Sequence, residues 1–305
     1  MHVSVLLNEC IDYLNLKEDS VIVDATLGYA GHSSEILKRI NKGFLFAFDQ
    51  DSEAIFSADK KLKDINNNYH IFHSNFVNMK ECLEKENVNQ VNGILFDLGV
   101  SSPQLDEEYR GFSFHHDSVL DMRMDRTQDL TAQKVVNEYD EDTLARIFFT
   151  YGEEKYAKAI AKKIVESRKQ KEIVTTFELV EIIKSAVPEK YKREKHPARK
   201  VFQAIRIEVN NELDVFEKAL RDALDLICTN GRICVITFHS LEDRICKQIF
   251  KEVTEIDSTL KKLPVIPDEY LPHFKVVKVI EPSKEEVLQN NRARSAKLRV
   301  LERIR

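Results

Sequence analysis

The chain has 305 residues, 43% of them hydrophobic and 32% charged, with 17 Phe and 9 Tyr, which excludes a disordered or fibrous protein and is ample for two domains or for one domain carrying a large insertion. Its 8 Gly and 7 Pro make up about 5% of the residues against a usual 12% or so, favouring long regular elements over the tight turns of an all-β fold. The net charge is −5, which as an average argues against a nucleic-acid partner, and no apolar run approaches the roughly 18 residues that span a bilayer.

Val21 to Thr26 is a largely apolar run that ends near Gly28, and Ser33 to Ile40 has the apolar spacing and basic end of a helix. Gly43 to Phe48 is a second apolar run, closed by Asp49 and followed by a helical stretch from Ser52 to Leu62. Tyr69 to Phe72, a helix from Asn78 to Lys85, and Gly93 to Phe96 repeat the pattern. Four strands alternating with helices predict parallel pairing and a doubly wound α/β sheet. Gly231 to Phe238 reads as a fifth buried strand, preceded by a long amphipathic helix from about Phe202 to Ile227. Lys275 to Ile280 and Ala296 to Ile304 alternate like an antiparallel pair that closes the sheet, after an irregular stretch marked by Pro264, Pro267 and Pro272.

Leu98 and Gly231 are 133 residues apart, whereas a right-handed crossover needs about 30. About 100 residues are therefore inserted after the fourth strand. Asp142 to Tyr151, Lys155 to Lys169 and Thr176 to Val187 are helical in period, so the insert is a helical lobe. The expected division is 1–105 and 201–305 for the α/β domain and 106–200 for the inserted domain.

Charge is segregated along this plan. Asp97 to Ala145 holds 12 acidic and 4 basic residues, Lys155 to Arg206 holds 15 basic and 6 acidic, and Asn290 to Arg305 holds 6 basic and 1 acidic. Such runs are most often solvated helix faces. Two basic zones on one chain also fit a polyanionic partner. The start MHVSVLLNEC has no basic region and only a short apolar stretch, so a cytoplasmic location is expected rather than secretion. The cysteines Cys10, Cys82, Cys228, Cys234 and Cys246 lack CxxC spacing, so neither disulfides nor a metal site is expected.

The turn Gly28-Tyr29-Ala30-Gly31-His32-Ser33 joins the first strand to the first helix, where free N–H groups commonly receive a cofactor. A plain structural turn with Ser33 as helix N-cap is the competing reading. The pattern is not GxGxxG, because Ala30 takes the place of the second glycine and no third follows, so an NAD-dependent oxidoreductase is disfavoured. Asp49 ends the second strand, where an acidic side chain can accept from both ribose hydroxyls. Asn75 and Phe76 follow the third strand, where the aromatic face either lies on adenine or is plain core. Asp97 ends the fourth strand in DLGVSSPQL. Strand-end carboxylates without a phosphate-binding glycine cluster suit S-adenosylmethionine, which carries a sulfonium and no phosphate.

Nine blocks in order carry a resemblance over nearly the whole chain: HVSVLLNE, DATLGYAGHS, FDLGVSSPQLD, RGFSF with LDMRMD, GEEKYAKAIAKKI, HPARKVFQAIRIEVNNEL, ITFHSLEDRICK and RARSAKLRVLER. The sequence resembles the bacterial 16S rRNA cytosine methyltransferases called ribosomal small subunit methyltransferase H, or MraW. The resemblance implies a class I Rossmann-like S-adenosylmethionine-dependent methyltransferase with an inserted helical domain. It implies methyl transfer to the exocyclic 4-amino group of a cytidine in the decoding region of 16S rRNA, with the small ribosomal subunit as partner. The cofactor contacts it implies fall on Ala30, Gly31, His32, Asp49, Phe76, Asp97 and Gln104. Ala30 departs from the usual glycine, and its methyl is tolerable if φ is negative.

Asp97 is the candidate catalytic residue, either orienting the amine or holding the amino-acid part of the cofactor. Arg110, Phe112 and Phe114 of RGFSF are candidates to clasp a flipped base, or else core aromatics flanking a surface arginine. Asp121, Arg123 and Asp125 alternate in sign like a salt-bridged brace. His239 ends the fifth strand, and Ser240 with Asp243 fits a capping box. Arg199, Lys200, Arg292, Arg294 and Lys297 are candidate phosphate contacts, with Lys192, Arg193 and Lys195 in the same basic zone as the first two. A non-catalytic RNA-binding protein on the same fold is the alternative.

Overall fold

The computed structural model describes residues 4–100, 104, 105, 107–194, 196–256, 260 and 265–305. Ser101, Ser102, Pro103, Lys195 and Pro264 lie outside the described residues. The chain divides into two compact units, one made of Met1–Gly99 with Leu213–Arg305 and the other of Val100–Glu212.

The first unit is built on seven strands, β1 (Val21–Asp24), β2 (Phe44–Asp49), β3 (Tyr69–His73), β4 (Val91–Asp97), β5 (Ile227–Thr237), β6 (Phe274–Ile280) and β7 (Lys297–Arg303), in the order β3-β2-β1-β4-β5-β7-β6. β1 to β5 pair in parallel, and β7 runs antiparallel to both β5 and β6. The strand order reverses between β1 and β4, which is the switch point where doubly wound sheets open a crevice at the carboxyl ends of their strands. This is a Rossmann-like α/β fold.

Both faces of the sheet are covered, and the alternation of the strands decides which residue goes where. Val23, Phe46, Phe48, Ile94, Phe96, Ile233 and Val235 face one layer, with α4 (Met79–Lys85), α11 (Glu212–Leu226) and α12 (Ser240–Thr254) supplying Leu83, Phe216 and Ile249. Ile22, Leu45, Ala47, Leu95, Cys234 and Ile236 face the other, met by Ile11 of α1 (Leu7–Tyr13), Ile36 of α2 (Gly31–Arg39) and Leu62 of α3 (Ser52–Lys63).

The second unit is helical. Its core joins Val135 of α5 (Ala132–Glu138), Phe148 of α6 (Glu141–Thr150), Ile160 of α7 (Ala157–Arg168), Leu179 of α8 (Thr176–Ser185) and Phe202 of α10 (Ala198–Asn210), with Tyr191 of α9 (Glu189–Glu194) at its margin. The helix expected as one piece from Phe202 to Ile227 is two, α10 and α11. Asn211 between them has φ 48 and ψ 40, a left-handed conformation that ends a helical ladder and that asparagine tolerates better than most residues. The unit boundary falls at this break, so the insert runs from Val100 to Glu212 rather than from 106 to 200. β5 begins at Ile227, ahead of the expected Gly231, because the ladder with β4 resumes there beyond a register shift between Val91 and Gly93. Among the described residues no helix is long and apolar enough to cross a membrane.

The entry to β2 shows how tightly the cofactor-side strands are set. Gly43 passes so close to the start of β1 that an added Cβ would stand 2.0 Å from the carbonyl oxygen of Ser20 and 2.8 Å from its backbone N. Backbone cannot yield as a flexible side chain does. Gly43→Ala is expected to lower unfolding stability by about 1 to 3 kcal/mol, read from the urea midpoint; an unchanged midpoint would contradict this packing.

Candidate active site

Three strands of the sheet end in a carboxylate: Asp24 on β1, Asp49 on β2 and Asp97 on β4. Parallel pairing of Asp24 with Ala47 and with Leu95 brings these ends to one edge. The carboxylates grip the turns around them. Asp24 Oδ1 accepts from the Thr26 N–H at 3.1 Å and Oδ2 from the Ser33 hydroxyl at 2.6 Å. Asp49 Oδ2 accepts from the Gly28 N–H and Oδ1 from the Asp51 N–H, both at 2.8 Å. The Asp97 N–H donates to Thr26 Oγ1 at 2.7 Å. Burial pushes Asp24 and Asp49 up to about 6, opposed by these bonds to the charged form.

The turn that follows β1 differs from expectation in two ways. Ser33 is committed to Asp24 and lies inside the first turn of α2, whose N-cap is Ala30 without a side-chain cap. Ala30 has φ 56 and ψ 38, so the negative φ that would tolerate its methyl is not adopted. A left-handed alanine costs about 1 to 2 kcal/mol. The conformation is held from the carbonyl side, where Ala30 O accepts from the Ser34 N–H at 3.1 Å, the Ser34 hydroxyl at 2.5 Å and Lys61 Nζ at 3.2 Å. Gly31 lies against the N-terminal segment, and a Cβ there would stand 1.8 Å from Ser4 Oγ.

His32 and Asp97 form the centre of this edge. His32 is buried, with Nε2 3.2 Å from the carbonyl of Val5. A carbonyl can only accept, so Nε2 carries the hydrogen and Nδ1 is the acceptor. Nδ1 stands 3.5 Å from Asp97 Oδ2. The other oxygen, Oδ1, is buried and has no hydrogen-bond partner among the described residues. Burial pushes Asp97 up to about 8, with Asp24 and Glu242 adding to the rise, and burial lowers His32 to about 4. At neutral pH the two are a carboxylic acid and a neutral imidazole rather than an ion pair. A quarter of the Asp97 side chain remains exposed, so the desolvated group is still approachable.

Phe76 follows β3 at the same edge. The Ser74 N–H donates to Asp49 O at 2.9 Å, Asn75 Nδ2 donates to Gln50 Oε1 at 3.0 Å, and half-buried Phe76 packs edge-on against Phe96 with ring centroids 5.8 Å apart. His239, two residues beyond β5, is the N-cap of α12 and forms a capping box with Glu242. This replaces the expected Ser240–Asp243 pair, because Asp243 is held by Arg299 through bonds of 2.7 and 3.1 Å. Thr237 pairs with Lys297 across β5 and β7, so the exposed Arg292 and Arg294, in the turn Asn291–Ser295 before β7, stand at this edge too.

The remaining candidates belong to the helical unit. Gln104 is buried there. Arg110 is not a surface arginine: it is 2% exposed, and Nη2 donates to the carbonyls of Arg123 and Met124 at 3.0 and 3.4 Å. Phe112 is core. Asp121 and Arg123 pair at 2.7 Å, which makes them a brace. Arg199 is exposed, while Lys200 donates Nζ to the carbonyl of Glu153. Asp24 and Thr26, which anchor the turn after β1, were not singled out from the sequence, although Asp24 carries the same signal as Asp49 and Asp97, an acid closing an apolar run.

The donor set fits S-adenosylmethionine. A carboxylate at the end of β2, an aromatic ring after β3 and an unpartnered carboxyl oxygen at the end of β4 match a ribose, an adenine and a positively charged group, and none requires a phosphate. A model of the MraW methylase family matches residues 1–304. The chain belongs to that family. As an MraW methylase it takes S-adenosylmethionine as cofactor. Among solved structures it is similar to an rRNA methylase from Streptococcus thermophilus, at 12% identity over 100% of both chains with a TM-score of 0.46. It is also similar to SMU.1697c from Streptococcus mutans in complex with SAH, at 12% identity over 99% of both chains with a TM-score of 0.45.

The Asp97 carboxyl gives a pH signature. Its folded pKa lies above the unfolded value near 3.9, so between roughly pH 4 and 8 the folded state holds a proton that the unfolded state has lost, and stability declines as pH rises through that window. Asp97→Asn removes this decline and keeps a donor for His32 Nδ1. The variant should therefore match wild type near pH 4 and gain on it steadily towards pH 8 in thermal unfolding; a difference independent of pH would contradict a protonated Asp97.

Proposed function

We propose that this MraW methylase transfers a methyl group to the exocyclic 4-amino group of a cytidine in the decoding region of 16S rRNA, acting on the small ribosomal subunit in the cytoplasm. The observation that carries this reading is the desolvated but partly exposed carboxyl of Asp97 at the end of β4, whose Oδ1 has no hydrogen-bond partner among the described residues. The nine sequence blocks shared with the 16S rRNA cytosine methyltransferases support the choice of target.

The bound cofactor supplies a methyl group on a cationic sulfonium. A cytosine amine is a poor nucleophile because its lone pair is delocalised into the ring, so it must be held in line and relieved of a proton as the new bond forms. The Asp97 carboxyl, a quarter of whose side chain is exposed, is the acceptor available to one N–H of that amine. A positive charge in the crevice favours the ionised carboxylate against the burial that raises it. Once Asp97 has taken the proton it is in the form that burial already favours, with His32 Nδ1 placed to accept from the acid. His32 thereby acts as a positioning residue for Asp97. Asp49 would receive the ribose hydroxyls, the open part of Phe76 would lie on adenine, and Ala30, Gly31 and His32 would line the turn that holds the cofactor. The target base has to leave any stack it occupies, which costs least for an unpaired nucleotide.

RNA is held by the basic zones. Arg199, Arg292 and Arg294 are exposed and suit phosphate contact, whereas His239 is committed to capping α12 with a side chain only 11% exposed, and Lys200 can make such a contact only by leaving the Glu153 carbonyl. Arg110 and Phe112 support the loop that carries them from within.

Loss of the Asp49 carboxylate should weaken cofactor binding by about 1.5 to 3 kcal/mol, the worth of hydrogen bonds to a charged group. Calorimetry on Asp49→Ala checks this, and unchanged affinity in a folded variant would remove Asp49 from the site. For Asp97, single-turnover methylation of 16S rRNA at saturating cofactor decides between two roles. If the carboxylate accepts the proton, Asp97→Asn slows the step by on the order of 10²-fold with cofactor affinity little changed. A near wild-type rate at saturation would instead leave Asp97 as a cofactor-holding group.

A further inference from the structure

The helical unit carries a ladder of rings that its fold does not require. Phe202 of α10 is buried in the core, and Phe114 packs edge-on against it with centroids 5.6 Å apart. His196 then stacks flat on Phe114, at 4.5 Å and 16° between planes, and His115 tilts against the same phenylalanine at 4.4 Å. The ladder runs from the interior to the surface: Phe114 is half-buried, whereas His115 and His196 are exposed. Neither imidazole makes a hydrogen bond or ion pair among the described residues. A stack meant only for packing would end inside the core.

The platform is also held rigid. The segment from His116 to Val119 is tied to the start of α8, with Thr176 Oγ1 donating to His116 O at 2.6 Å, the Thr176 N–H to Ser118 O at 2.8 Å, the Phe177 N–H to Asp117 Oδ1 at 3.2 Å, and a bridge between Val119 and Thr175. Rings already fixed lose little entropy when a ligand settles on them. Burial lowers the pKa of His196, with Lys184 and His115 adding to the fall. Lys184 is paired with Glu181 at 2.7 Å, whereas Arg199 stands exposed one turn beyond His196, its N–H donating to His196 O at 3.2 Å. Exposed aromatic faces beside an exposed arginine match a single-stranded nucleic acid, whose bases stack and whose phosphates are negative.

We propose that His115 and His196, backed by Phe114, form a stacking platform for an unpaired RNA nucleotide outside the reacting one. This deepens the rRNA reading given above and rests on it. The test is the affinity of the full chain for a short fluorescein-labelled single-stranded RNA spanning the target cytidine, with salt varied. His115→Ala combined with His196→Ala should weaken binding roughly 5- to 100-fold, the usual effect of losing one or two stacked bases. The slope of log Kd against log salt should stay as in wild type, because stacking releases no counterions, and cofactor affinity should not move. His196→Phe keeps an aromatic face and should bind like wild type. His196→Leu keeps the apolar contact with Phe114, guards against misfolding, and should bind weakly. Wild-type RNA affinity in the folded Leu or double Ala variant would overturn the platform alone. Absence of RNA binding by the wild-type chain would overturn the rRNA reading, and the platform with it.

Discussion

A parallel sheet covered on both faces leaves only the ends of its strands for chemistry, and here that constraint governs the site. Asp24, Asp49 and Asp97 sit where β1, β2 and β4 emerge from their hydrophobic layers. Desolvation acts on all three, and the number of N–H or O–H donors decides how far it prevails. Asp24 and Asp49 accept hydrogen bonds from neighbouring N–H and O–H groups and rise only to about 6. Asp97 accepts none at Oδ1 among the described residues, faces a neutral imidazole at Oδ2, and rises to about 8. Two carboxylates thus brace the turns at this edge, and the third is left without donors.

The same bonds explain why the turn after β1 can hold an unfavourable backbone. Gly28 is tied to Asp49, Thr26 links Asp24 to the Asp97 N–H, and Ser33 returns to Asp24. Ala30 lies in the middle of this network at φ 56, with its own methyl buried. Strain of about 1 to 2 kcal/mol is smaller than what several buried hydrogen bonds contribute at about 1 kcal/mol each. A left-handed alanine is therefore sustained in a place where glycine would be the easier choice. The arrangement leaves the backbone of Ala30, Gly31 and His32 in one fixed path beside Asp97.

Much of this was legible in the sequence, for a physical reason. Strands buried on both faces read as apolar runs, and their carboxyl ends as the first acid after each run, so β1, β2, β4 and the positions of Asp49 and Asp97 at the strand ends could be placed from VIVD, FLFAFD and ILFD. Features that depend on a single dihedral or a single partner could not. The break at Asn211 interrupts no hydrophobic period, so α10 and α11 looked continuous, and the inserted unit seemed to end earlier than it does. Ser33 and Ser240 both look like helix caps, yet Ala30 and His239 hold those positions because Asp24 and the Glu242 capping box compete for the local donors. Arg110 looked like a surface cation. Its guanidinium instead satisfies buried carbonyls 13 and 14 residues away, which no local pattern reveals. The short helices α5 and α9, of 7 and 6 residues, offer too few turns for a periodic signal.

Nucleoside mass spectrometry of 16S rRNA, isolated from cells with the gene, without it, and without it but carrying the wild-type or the Asp97→Ala chain, tests the proposed methylation of a cytidine amine in 16S rRNA. 4-N-methylated cytidine is expected in the presence of the gene, with its loss on deletion and its return with the wild-type chain but not with the variant. An unchanged level of that nucleoside after deletion would contradict it.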